Sequence, residues 1–143
     1  MKLDLSSLHK AIAQLVEALA YCDSELARRD QRLAFHLRAG AIQAFEFTYE
    51  LAVKMLRRFL EMTESNPSAV SEMSFNDLIR LGAQRGLVSR ELADWQQFRK
   101  DRGTTSHTYD EAKAQEVYKS IPKFLTEARY LVAQIAKRQE GQA

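Results

Sequence analysis

Phe45-Glu46-Phe47-Thr48-Tyr49-Glu50-Leu51-Ala52-Val53-Lys54-Met55-Leu56-Arg57-Arg58-Phe59-Leu60 is the stretch that decides the fold. Its apolar side chains occupy most of a helical circumference, while Glu46, Glu50, Lys54, Arg57, Arg58 and Glu61 recur at three-and-four spacing as one charged stripe. The pattern predicts a long helix from Arg32 to about Thr63, with Glu50 and Lys54 in the favourable order for an ion pair. A helix apolar over so much of its girth needs more than one burying surface. It is either the central helix of a bundle or a helix that also faces a second subunit.

The flanking sequence repeats the helical period. Leu5, Leu8, Ile12, Leu15, Val16 and Leu19 predict an amphipathic helix from Ser6 to about Arg29, with Arg28-Arg29-Asp30-Gln31 as a polar turn. Ser65-Asn66-Pro67-Ser68 reads as a loop. Ser74, with Asp77 three residues on, reads as the N-cap of a short helix closed by Gly86. Ser89 opens another helix, with Leu92, Trp95 and Phe98 inward. Thr108 and Glu111 form a capping-box pair for a last helix with the seam Ala114, Val117, Ile121, Phe124, Ala128, Leu131 and Ile135. Pro122 predicts a kink in it. With no strand-like alternation, the expectation is all-α: an up-and-down four-helix bundle with an additional short helix.

Composition agrees. The 143 residues are 45% hydrophobic and 28% charged, with two prolines and five glycines, which excludes a disordered chain. One domain over residues 1–143 is expected. A net charge of +2 permits an anionic partner without demanding one. Cys22 is the only cysteine, so no internal disulfide can form and a reducing, cytoplasmic setting is expected. The polar residues Asp4, His9, Lys10 and Glu17 interrupt the N-terminal stretch, against a signal peptide, and no apolar run suits a membrane span.

One polar run interrupts the helices: Arg102-Gly103-Thr104-Thr105-Ser106-His107-Thr108-Tyr109. Arginine forks onto phosphate with two parallel hydrogen bonds, and histidine is poised for proton transfer near neutral pH. The plain alternative is that Arg102 caps its helix, the hydroxyls satisfy a tight turn and Tyr109 packs as a staple. His9, His36 and His107 lie on different elements with no cysteine beside them, so neither a metal nor another cofactor is expected. Glycine-rich phosphate loops and paired polymerase-like aspartates are absent, so the chain lacks machinery to transfer a nucleotide by itself. The arginines and Lys100 between positions 80 and 102 read as a solvated face.

The spacing Arg, four residues, His, one residue, Tyr resembles the signature of the HEPN superfamily. The run from Trp95 and Phe98 through Arg102 to Glu111, together with Ile42 to Lys54, is similar to the nucleotidyltransferase substrate-binding subunits, including the helical toxins paired with a minimal nucleotidyltransferase. The likeness spans nearly the whole chain. It implies a homodimer paired near the motif and a separately encoded small nucleotidyltransferase as partner. Arg102, Thr105, His107 and Tyr109 would hold or present a nucleotide, and Tyr109 matches the tyrosine that the partner adenylylates in toxin members. It equally implies an enzyme, a metal-independent endoribonuclease in which His107 is the base and Arg102 steadies the phosphate charge. A homodimer with a purely structural motif is the third reading. Gly103 stands where the family carries a polar residue that helps hold the ribonucleolytic site, which weighs against the nuclease.

Overall fold

The computed structural model describes residues 2–141. Seven α-helices follow in order: α1 (Ser6–Cys22), α2 (Glu25–Arg29), α3 (Gln31–Thr63), α4 (Pro67–Ser71), α5 (Phe75–Gln84), α6 (Leu92–Gly103) and α7 (Glu111–Glu140), with a single 3-10 turn at Thr105–His107 between the last two. The bundle is all-α, as the periodicities require. α3 is its central helix, packing on α1 and α7 and also against α2, α4, α5 and α6. Phe45, Ala52, Leu56 and Leu60 are sealed in the core with Trp95, Phe98 and Phe124. The Phe124 ring meets those of Phe45, Trp95 and Phe98 edge-on, an arrangement that suits the ring quadrupoles. The whole predicted seam of α7 is buried, and α7 runs unbroken through Pro122.

Local chemistry moved several predicted boundaries. The first helix ends at Cys22 because the Ser24 hydroxyl accepts from the Ala27 N–H and starts a separate helix, α2. Asp30, read as part of a turn, caps α3 by accepting from the Arg32 and Leu33 amides. The expected loop at Ser65–Ser68 instead opens α4, with Asn66 as N-cap and Pro67 in the first turn, where its missing N–H costs nothing. Asp110 rather than Thr108 caps α7, accepting from Ala112 and Lys113. Ser74 does cap α5, and Gly86 has φ +73, the left-handed conformation that glycine supplies most cheaply.

Ser89 does not begin a helix. Its N–H and hydroxyl reach Glu127 of α7, which also accepts from the Arg90 N–H and from Trp95 Nε1 at 2.8 Å. α6 therefore starts only at Leu92, with its first turn clasped to α7 by one buried carboxylate. That clasp sets the position from which α6 delivers Arg102.

Candidate functional site

The polar run forms the junction between α6 and α7. Arg102 lies in the last turn of α6, Thr105 and His107 bound the 3-10 turn, and Tyr109 follows just before α7. Backbone bonds from the His107 N–H to the Thr104 carbonyl and from the Asp110 N–H to the His107 carbonyl shape the turn. Thr104 donates its hydroxyl to the Asp101 carbonyl. The turn-satisfying role foreseen for the threonines is thus real, but it does not exhaust them.

The motif side chains divide into two groups. Arg102 and Thr105 face α3. Arg102 donates from Nε (2.8 Å) and Nη2 to Glu50 Oε1, with Glu46 Oε1 3.6 Å from Nη2. The buried Thr105 hydroxyl lies between Glu46 Oε2 and the Arg102 carbonyl, donating to one at a time. The hydrogen bond to Glu50 raises the guanidinium pKa, so Arg102 stays charged. Tyr49 neighbours this cluster. Burial pushes its phenol up to about 12, against the pull of Arg99 and Arg102, so it stays neutral.

His107 and Tyr109 form the second group. His107 Nδ1 is 3.4 Å from the Tyr109 hydroxyl, and the rings meet edge-on with centroids 5.9 Å apart. Tyr109 is 78% exposed. It does not pack as a staple. Among the described residues no hydrogen bond joins Arg102 to His107, so the two ends of the motif act on different surroundings.

The sequence places Glu46 and Glu50 on one charged stripe of α3, with Glu50 as a partner of Lys54. They are instead the counter-charges of the motif, brought from α3 across 52 positions of sequence in the case of Glu50. Two carboxylates against one guanidinium leave the cluster formally negative. The signal available in sequence was the pair of glutamates, one turn apart, at the start of the charged stripe of an otherwise apolar helix. Arg80, Arg85 and Arg90 are likewise paired, with Asp77, Glu64 and Asp94.

Beside the cluster runs a cleft of ≈ 800 Å³ lined by Gly40, Ala44, Phe47, Glu46, Thr105 and Thr108. Phe47 is 57% exposed on α3, and a side chain at Gly40 would meet nothing within 4 Å. On the other side of α6, Asp101 is buried against α7. Its Oδ1 accepts from Gln97, its Oδ2 meets the hydrogen-bond geometry of no group among the described residues, and burial raises its carboxyl pKa against the pull of Ser120 and Gln97.

An all-α bundle that carries an Arg-x4-His-x-Tyr turn between its last two helices defines a narrow class. The family model described as nucleotidyltransferase substrate binding protein like matches residues 3–137. The chain belongs to that family, within the HEPN superfamily. It is 40% identical over 102 residues to a probable ribonuclease HepT of Haemophilus influenzae, covering 71% of this chain and 69% of that protein. A solved Haemophilus influenzae structure, described as the fold of a substrate-binding domain of a nucleotidyltransferase, superposes with a TM-score of 0.86 at 33% identity, covering 93% and 99% of the two chains. A Thermus thermophilus structure matches with a TM-score of 0.68 at 26% identity, covering 90% and 98%.

Proposed function

We propose that this chain is the helical, substrate-binding partner of a separate small nucleotidyltransferase, and that it presents Tyr109 to that enzyme. The observation that carries the reading is the pairing of a phenol 78% exposed with an imidazole nitrogen 3.4 Å from its hydroxyl. In such a transfer the Tyr109 oxygen forms a bond to the α-phosphorus of a nucleoside triphosphate. The α–β anhydride bond breaks, pyrophosphate leaves, and the phenol proton passes to His107. Arg102 and Thr105 are the nucleotide contacts from this side. Nη1 of Arg102, which makes no hydrogen bond among the described residues, is the donor left for a phosphate. The test is incubation of the two purified proteins with a nucleoside triphosphate, read by mass. A nucleotidyl increment on Tyr109, lost in Tyr109→Phe, is expected. No increment, or one that persists in Tyr109→Phe, would sink the reading.

A second reading is a metal-independent ribonuclease, with His107 as base and Arg102 stabilising the phosphate. It is favoured by the relative named as a probable ribonuclease and is weakened by Gly103. Under both readings the protein works as a homodimer. A second copy covers the cleft beside the motif, where Phe47 is exposed and Gly40 leaves open space. No helix among the described residues is long and apolar enough to cross a membrane. The lone thiol Cys22 fits the reducing cytoplasm, which is the proposed location.

A further inference from the structure

A second cleft, of ≈ 690 Å³, lies where the end of α1 meets the starts of α3 and α7. None of the motif residues Arg102, Thr105, His107 and Tyr109 lines it. We propose that it is a binding site for a nucleoside 5′-monophosphate unit, distinct from the Arg102–Tyr109 turn and independent of the role proposed for Tyr109.

Arg38 carries the argument. Its side chain is only 14% exposed, yet its one ion pair among the described residues runs from Nη2 to Glu111, a side chain 66% exposed on the rim. Its Nε and Nη1 make no hydrogen bond among the described residues, and neither is sealed from solvent. The guanidinium is thus held through Nη2, with Nε at its side and Nη1 at its end left without acceptors. Its Cζ stands 5.7 Å from the centroid of the Phe35 ring, so the packing of the stem and ring fixes its direction. A phosphate dianion takes two parallel N–H bonds from one edge of such a planar fork, here Nη2 with Nε or Nη1, so it would share Nη2 with Glu111 or displace it. Arg32 adds a second cation to the cleft wall; against the two stand Glu111 in the lining and Asp23, whose carboxylate acts on Cys22 and Tyr118.

The rest of the wall suits the nucleoside. Phe35 lines the cleft, with the Arg38 guanidinium over one side of its ring and His36 edge-on to it at 5.4 Å between centroids. A base stacks on such a platform whatever its identity. Gln115 and Tyr118 bring an amide and a phenol to the same cavity. Burial, with the hydrogen bond to Cys22, pushes the Tyr118 phenol up to about 12, so it stays neutral and adds no charge that would repel a phosphate. The volume lies in the range of small-molecule sites, about 300–1,000 Å³. A purely structural Arg38–Glu111 staple would need neither donors left without acceptors nor an aromatic ring beside it.

The phosphate could belong to a free mononucleotide or to the 5′ end of an RNA, and one assay separates them. Cys22, the only cysteine, lines this cleft and no other part of the site, so its alkylation by a maleimide reports occupancy. AMP is expected to slow alkylation saturably and adenosine to do so far more weakly. Arg38→Gln, which keeps a stem over Phe35, should weaken protection by AMP about tenfold or more, the loss for a charge-assisted pair of bonds. Glu111→Gln removes the competing carboxylate and should tighten it. Arg102→Ala should leave it unchanged. Protection by a 5′-phosphorylated short RNA, absent for the same RNA without phosphate, would assign the unit to an RNA end; protection by AMP alone would assign a free nucleotide. Failure of both AMP and phosphorylated RNA to protect overturns the proposal. So does equal protection by adenosine, or loss of protection in Arg102→Ala with Arg38→Gln intact.

Discussion

Removing the acceptor that clasps α6 to α7 should strongly destabilise the protein while leaving its exposed chemistry in place. Glu127 is 1% exposed and receives four donors: the Ser89 and Arg90 amides, the Ser89 hydroxyl at 2.6 Å and the indole N–H of Trp95 at 2.8 Å. In Glu127→Ala, water can reach Ser89, which is exposed, but the Trp95 N–H is fully enclosed. A stranded buried donor costs about 1–3 kcal/mol, and the lost charge-assisted bonds and the small void bring the total to about 3–4 kcal/mol. That is a large share of the ~5–15 kcal/mol that holds a domain folded. Glu127→Gln is gentler. With its carbonyl turned toward Trp95 and Arg90, its amide group meets the Ser89 hydroxyl, which can rotate to accept, so about 1–2 kcal/mol is expected. Urea titration at fixed protein concentration, followed by fluorescence of the single tryptophan, reads both values. The reasoning fails if Glu127→Ala costs less than ~0.5 kcal/mol, the size of an ordinary surface change, or if Gln and Ala cost the same.

The remaining expectations concern the turn and its surroundings. Glu50→Gln should release Arg102 and raise nucleotide affinity at the motif, while Arg102→Ala should lower it about tenfold or more, as titration calorimetry would register; an effect of the same sign in both would discard the cluster as a phosphate site. If the chain cleaves RNA, it should do so with EDTA present, lose the activity in His107→Ala, and gain rate in Gly103→Asn, whose side chain has open space and an ordinary helical backbone to enter. RNA left intact by both the unaltered protein and Gly103→Asn ends the nuclease reading. Asp101→Asn should raise the melting temperature at neutral pH. The folded state holds the Asp101 proton more tightly than the unfolded chain, so this carboxyl destabilises once the pH rises through its raised pKa, and the gain should vanish toward and below its ordinary value of 3.8. A gain that persists undiminished at low pH would contradict this. Phe47→Glu should convert a dimer to a monomer in light scattering, and a monomeric parent protein would contradict the dimer itself.

Helical period alone carried the architecture, because burying an apolar stripe every three or four residues admits few alternatives to a bundle, and the α7 seam and Ser74 cap lie where local pattern put them. The motif from Arg102 to Tyr109 was equally legible, since its residues are neighbours in sequence. Cap ownership at Ser24, Asn66 and Asp110 depended on which of several competing side-chain acceptors meets a free N–H, a contest decided by fractions of a turn. What the motif touches belonged to tertiary structure. Glu46 and Glu50 look like solvent-facing charges until packing of α6 across α3 sets Arg102 against them. Glu127 sits in a helix whose pattern would leave it in water, and only the approach of Ser89 and Trp95 gives a buried carboxylate its donors. Charge pairing and desolvation act through space, between groups that the chain keeps 30 to 60 residues apart, and that is why the residues were readable while their electrostatic roles were not.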